Sequence, residues 1–118
     1  AILHESLIAY HNNVKIERLD VNPALIKKYG VVSEDVVEAM AEGALCRTNA
    51  DFAIATSGIA GPGGGTAKKP VGTVWVAVAA KHKMLTQKLS VRGDRVRIQQ
   101  RAAAEALRLL WQLLIETD

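Results

Sequence analysis

Phe52-Ala53-Ile54-Ala55-Thr56-Ser57-Gly58-Ile59-Ala60-Gly61-Pro62-Gly63-Gly64-Gly65-Thr66 runs from an apolar segment into a glycine-rich one, and Lys68-Lys69-Pro70-Val71-Gly72-Thr73-Val74-Trp75 leads into a second apolar segment. The apolar run before the loop has strand length and fits a central strand covered on both faces. Residues 72–80 form the strongest strand signal in the chain, rich in valine and continuous in its apolar character. The loop between them holds five of the chain's nine glycines. Without a Cβ, such a backbone can take positive φ and bring its N–H groups close to an anion. It is not a P-loop, because no glycine precedes Lys-Ser or Lys-Thr at the required spacing, and it lacks the final spacing of the dinucleotide fingerprint. A mobile surface connection is the alternative reading of the glycines alone.

Outward from this stretch, helix signals alternate with strand signals. Residues 7–10 read as a short buried strand, followed by a helix capped by Asn12 or Asn13 and carrying Val14, Lys15, Ile16 and Leu19. Asn22 caps a second short helix with Pro23 at its first position and Gly30 as its stop. Ser33 caps a third, with Glu34 and Asp35 at the positive end of its dipole and Val36, Val37, Met40, Ala41, Ala44 and Leu45 on its apolar face. Beyond the second strand, Lys81-His82-Lys83 is a turn, and Leu85, Gln87, Leu89 and Val91 alternate as a strand paired back in a hairpin. Asp94 opens a last helix whose stripe is Ile98, Ala102, Ala106, Leu109, Leu110, Leu113 and Leu114, with Trp111 near its edge. This order predicts one α/β domain over residues 1–118, a three-layer sandwich with helices packed on a mixed β-sheet.

Composition narrows the function classes. The chain is 49% apolar and 23% charged, which is ordinary for a folded soluble domain. Cys46 is the only cysteine, so no intrachain disulfide forms and a cytoplasmic location is expected; Cys46 reads as a small buried residue rather than a nucleophile. No apolar run approaches the ~18 to 20 residues that span a bilayer, so no membrane partner is expected. The net charge of +3 concentrates in the C-terminal part, with Arg92, Arg95, Arg97 and Arg101 as its densest cluster. Aromatic residues do not interleave with these arginines as stacking platforms, so nucleic-acid binding is not expected. His4, His11 and His82 show no ligand spacing with carboxylates or Cys46, so neither a metal nor a cofactor is expected.

Several stretches together resemble the C-terminal domain of the CinA family, the PncC-like nicotinamide mononucleotide deamidases. They are Ala9-Tyr10-His11-Asn12-Asn13-Val14-Lys15, Val31-Val32-Ser33-Glu34-Asp35-Val36-Val37, the Ser57 to Gly65 segment, Lys69-Pro70-Val71-Gly72-Thr73-Val74-Trp75 and Gly93-Asp94-Arg95. The resemblance implies hydrolysis of the nicotinamide carboxamide of a small-molecule nucleotide to the carboxylate, with release of ammonia. Amide hydrolysis needs an activated nucleophile, a base for its proton and donors where the oxyanion develops. Lys15 matches the family's lysine base, a role that requires its pKa to fall from ~10.4 towards ~7 to 8. Tyr10 matches the same catalytic segment, and Asn12 is implied in binding substrate.

The resemblance also places Ser57, Gly58, Gly61, Gly63 and Gly64 along the substrate pocket, with Arg95 paired to a phosphate or carboxylate. A surface salt bridge to Asp94 or Glu105 is the alternative for Arg95. Family domains begin with a helix, a strand and a Glu-Ser-Cys-Thr-Gly-Gly-like segment that supplies the nucleophilic serine. That segment does not occur in these residues, so the nucleophile is expected from sequence upstream. Ser6, in Glu5-Ser6-Leu7, lacks the following Thr-Gly-Gly and is not expected to serve. Gln99 stands where the family often has a basic residue. An incomplete domain of this kind exposes an edge or an apolar face, which makes a homo-oligomer the expected partner state. A catalytically inactive nucleotide-binding or regulatory module remains the alternative.

Overall fold

The computed structural model describes residues 18–117; the segment holding Tyr10, Asn12 and Lys15, and the strand expected over residues 7–10, lie outside the described residues. Three helices, α1 (Pro23–Tyr29), α2 (Glu34–Thr48) and α3 (Arg95–Thr117), pack on a sheet of β1 (Phe52–Gly58), β2 (Thr73–Ala80) and β3 (Lys83–Ser90). The strand order is β1-β2-β3, antiparallel throughout, with Ile54 opposite Val78 and Val78 opposite Leu85. The turn expected over Lys81-His82-Lys83 is shorter than that: Lys81 and His82 join β2 to β3, and Lys83 already pairs with Ala80 as the first residue of β3.

Side-chain alternation along β2 divides the core in two. Ala77 and Ala79 point to one face, where they meet Val36, Val37, Met40 and Ala41 of α2 together with Ala55, Leu19 and Val21. Val74, Val76 and Val78 point to the other, against Ile98, Ala106, Leu109 and Leu113 of α3. Small residues under α2 and larger ones under α3 thus fill the two interfaces of an α/β sandwich with three layers. Each fully buried Val, Leu or Ile contributes about 1.5–3 kcal/mol of transfer free energy. The central strand is therefore β2, buried on both faces.

The same periodicity corrects the reading of β1. Its apolar run predicts a doubly covered central strand, yet within the described sheet β1 is an edge strand. Ala53 and Ala55 are buried beneath α2, whereas Ile54 is 39% exposed on the other face. Cys46 is also corrected: it lies exposed on α2 rather than buried.

The helix caps form as their sequences dictate. Asn22 Oδ1 accepts from Ala24 N at 2.9 Å, Ser33 Oγ from Val36 N at 3.3 Å and Asp94 Oδ1 from Arg97 N at 2.9 Å. Each cap fixes where a helix starts, and the last places Arg95 in the first turn of α3, beside the glycine loop. Toward the other end of α3, Lys83 of β3 pairs with Glu116 and holds its carboxyl below the usual range. Leu107, Trp111 and Ile115 face solvent on the outer side of this helix.

Candidate functional site

The C-terminal end of β1, the N-terminal end of β2 and the start of α3 converge on the glycine loop. The loop is anchored as an extension of the sheet: Ile59 N donates to Thr73 O at 2.9 Å, and Gly72 N donates to Ile59 O at 2.7 Å. Gly72 makes the return possible. Its φ is +96°, and a Cβ there would overlap the Val91 carbonyl oxygen, so only glycine lets the loop re-enter β2 alongside the end of β3.

Between these anchors the loop leaves donors unused. Among the described residues, no backbone or side-chain acceptor takes the N–H groups of Gly63, Gly64 or Gly65, and all three glycines are exposed. Unpaired backbone N–H groups on successive residues are the donors from which anion-binding concavities are built. Gly61, by contrast, is buried, and its carbonyl accepts from Arg95 Nη1 at 3.1 Å. The salt bridges weighed for Arg95 are absent among the described residues: Glu105 pairs with Arg108, and Asp94 is engaged as the cap of α3. Arg95 therefore braces the loop with one nitrogen, and among the described residues its other nitrogens make no hydrogen bond.

Ser57 takes a more limited place than a pocket-lining hydroxyl. Its Oγ donates to Val31 O at 3.0 Å, so its proton is committed to the turn between α1 and α2. Gly58 lies exposed at the end of β1, where a Cβ would meet Val74 of β2, so the strands approach closely there. Of the expected site residues, the structure joins Arg95 to Gly61 by a hydrogen bond, places Gly63 and Gly64 on the exposed part of the same loop, and places Ser57 and Gly58 at the end of β1 that leads into it. Tyr10, Asn12 and Lys15 fall outside the described residues.

A cleft of about 240 Å³ opens at the same end of the sheet, lined by Pro70, Val71, Thr73, Ser90, Val91 and Arg92. Small-molecule sites occupy roughly 300–1,000 Å³, so this cleft is smaller than a typical one. Lys69, which the sequence offers only as the first residue of the Lys69 to Trp75 stretch, donates from its ammonium to Tyr29 O at 2.6 Å. Among the described residues there is no cluster of His, Cys, Asp and Glu able to hold a metal, and no helix long and apolar enough to cross a membrane.

These features define a three-layer α/β domain whose glycine loop, carried between two antiparallel strands, presents free N–H groups beside an arginine at a helix start. Comparison with known proteins gives the family: the CinA C-terminal domain matches residues 1–114, and the chain belongs to that family. A CinA-like protein of Mycobacterium leprae is 51% identical over 115 residues, covering 96% of this chain and 27% of that protein. A CinA-like protein of Mycobacterium marinum is 48% identical over 111 residues, covering 93% of this chain and 26% of that protein. The chain thus spans about a quarter of the length of these relatives.

Solved structures agree on the fold. The competence/damage inducible protein CihA of Agrobacterium tumefaciens superposes with a TM-score of 0.87 at 38% identity, over 89% of this chain and 65% of that one. A CinA superfamily protein of Escherichia coli superposes with a TM-score of 0.83 at 36% identity, over 88% of this chain and 60% of that one.

Proposed function

We propose that this domain is the amidase unit of a protein that hydrolyses the carboxamide of nicotinamide mononucleotide to nicotinate mononucleotide and ammonia. The observation that carries the substrate side is the row of free N–H groups at Gly63, Gly64 and Gly65 beside the uncommitted donors of Arg95. Backbone N–H groups and a guanidinium together suit the phosphate of a mononucleotide, the first by dipole and the second by charge and planar geometry. Family membership over nearly the whole chain supports the chemistry.

In the proposed reaction a serine hydroxyl from the Glu-Ser-x-Thr-Gly-Gly segment attacks the carboxamide carbon as Lys15 takes its proton. The tetrahedral intermediate collapses with loss of ammonia, and water then releases the acyl group as the carboxylate. Ser57 is not the nucleophile in this scheme. Its proton is donated to a backbone carbonyl, and no base among the described residues is hydrogen-bonded to it.

The test compares nicotinamide mononucleotide with nicotinamide riboside, which lacks the phosphate, in the complete gene product. Arg95→Gln is expected to raise KM for the mononucleotide about tenfold or more, the worth of one charged hydrogen bond. It should change KM for the riboside little. Equal effects on both substrates would separate Arg95 from the phosphate and leave it only as a brace for Gly61.

A further inference from the structure

Three consecutive carbonyls in the turn between α1 and α2 each accept one side-chain donor. Tyr29 O accepts from the Lys69 ammonium at 2.6 Å, Gly30 O from the Ser33 hydroxyl at 2.8 Å and Val31 O from the Ser57 hydroxyl at 3.0 Å. Two of these donors bracket the glycine loop, since Ser57 lies near the end of β1 and Lys69 lies just before the chain turns into β2. Carbonyls at a helix C-terminus lack intrahelical partners and carry the negative end of the helix dipole, so a lysine ammonium is well suited to the first of them.

Lys69 transmits this anchorage to the glycines. Its own N–H donates to Thr66 Oγ1 at 3.0 Å, and its carbonyl accepts from Thr66 N at 2.9 Å. Thr66 directly follows Gly65. At the other end, Arg95 holds the Gly61 carbonyl at 3.1 Å. Gly63, Gly64 and Gly65 therefore hang between two fixed points, one set by an arginine on α3 and the other by a lysine docked on α1. Glycine backbone has the most conformational freedom to lose, so the anchors decide how much of the loop's time is spent with its N–H groups turned to one place.

We propose that Lys69 is a positioning residue that latches the glycine loop onto the end of α1 and so sets the affinity for the anionic part of the substrate. This rests on the reading that the loop binds the phosphate of nicotinamide mononucleotide. Lys69 does not touch the reacting amide, and its effect falls on binding rather than on the chemical step. Its neighbour Lys68 makes no hydrogen bond or ion pair among the described residues and serves as a control of equal charge.

The experiment uses the complete gene product with Lys69→Met, Lys69→Arg and Lys68→Met. Three quantities are measured: amide hydrogen exchange across residues 59–72, calorimetric Kd for nicotinamide mononucleotide, and kcat. Lys69→Met is expected to speed exchange of the hydrogen-bonded loop amides at positions 66 and 69 and to weaken binding, each by about tenfold, with kcat changed less than about twofold. Lys69→Arg, which keeps charge and donors, restores most of both losses, and Lys68→Met changes neither.

Unchanged loop exchange in Lys69→Met overturns the latch. Faster exchange with unchanged Kd overturns its role in affinity. An equal loss from Lys68→Met shows a general charge effect and also overturns the proposal. A wild-type protein that neither binds nor hydrolyses the mononucleotide removes the substrate assignment, and loop exchange alone then decides whether Lys69 holds the loop.

Discussion

Replacement of Lys15 by methionine is expected to lower ammonia release from nicotinamide mononucleotide by about 10²–10⁴-fold, the usual worth of a general base. The carboxamide is a poor electrophile, and a neutral serine hydroxyl is a poor nucleophile until its proton is taken as the bond forms. Three other basic side chains of the described residues do not stand in for that base. His82 lies in the β2-β3 turn, at the opposite end of the sheet from the glycine loop. Lys69 is turned to Tyr29 O, and the Arg95 guanidinium is turned to Gly61 O. The loss should fall on kcat, since the donors of the loop and Arg95 that are proposed to bind the phosphate are untouched. Steady-state kinetics on the complete gene product measure it, with binding of the mononucleotide by the variant as the control for folding. Turnover within a few-fold of wild type would remove Lys15 from the mechanism.

Gly43→Ala is expected to have the largest effect on stability, costing about 3 kcal/mol or more and leaving little folded protein at moderate urea. Gly43 is buried in the middle of α2, where the chain at Leu19 crosses the helix so closely that a Cβ would overlap the Leu19 carbonyl oxygen and carbon. Backbone atoms cannot rotate aside as a side chain can. The clash must be relieved by moving α2 off Leu19 and Val21, which both belong to the core beneath that helix. In an unconstrained helix the same substitution would be favourable by up to about 1 kcal/mol, so the sign of the change separates close packing from helix propensity. Urea unfolding followed by circular dichroism gives it directly.

Much of the framework was legible because it depends on local chemistry. Asn22, Ser33 and Asp94 cap helices since a short polar side chain before an amphipathic run has orphan N–H groups to satisfy, wherever the helix later packs. The hairpin at Lys81 and His82 follows from two strand-length runs separated by two polar residues. The stripe of Ile98, Ala106, Leu109 and Leu113 is buried because its spacing matches the helical period. The glycine loop was visible as a loop for the same local reason.

What escaped the sequence is tertiary. An apolar run such as Phe52 to Thr56 has the same composition at the centre of a sheet or at its edge, and only its pairing with β2 alone among the described strands distinguishes them. Cys46 sits on α2 beside buried positions, and its exposure follows from where the sheet lies beneath that helix. Nothing near Lys69 in sequence announces an acceptor, because Tyr29 is forty residues away in the chain and arrives through the packing of α1. Ser57 looked like a pocket hydroxyl until Val31 supplied a carbonyl for its proton. Functional groups on loops take their roles from elements distant in sequence, so they are the hardest to read from residue patterns.

The proposed removal of the amide nitrogen from a nicotinamide nucleotide is tested most directly by incubating the complete gene product with nicotinamide mononucleotide and quantifying both products. Nicotinate mononucleotide and ammonia are expected in equal amounts, formed at a rate proportional to enzyme and lost with Lys15→Met. Calorimetric binding of the mononucleotide with neither product formed would contradict it and identify a binding module instead.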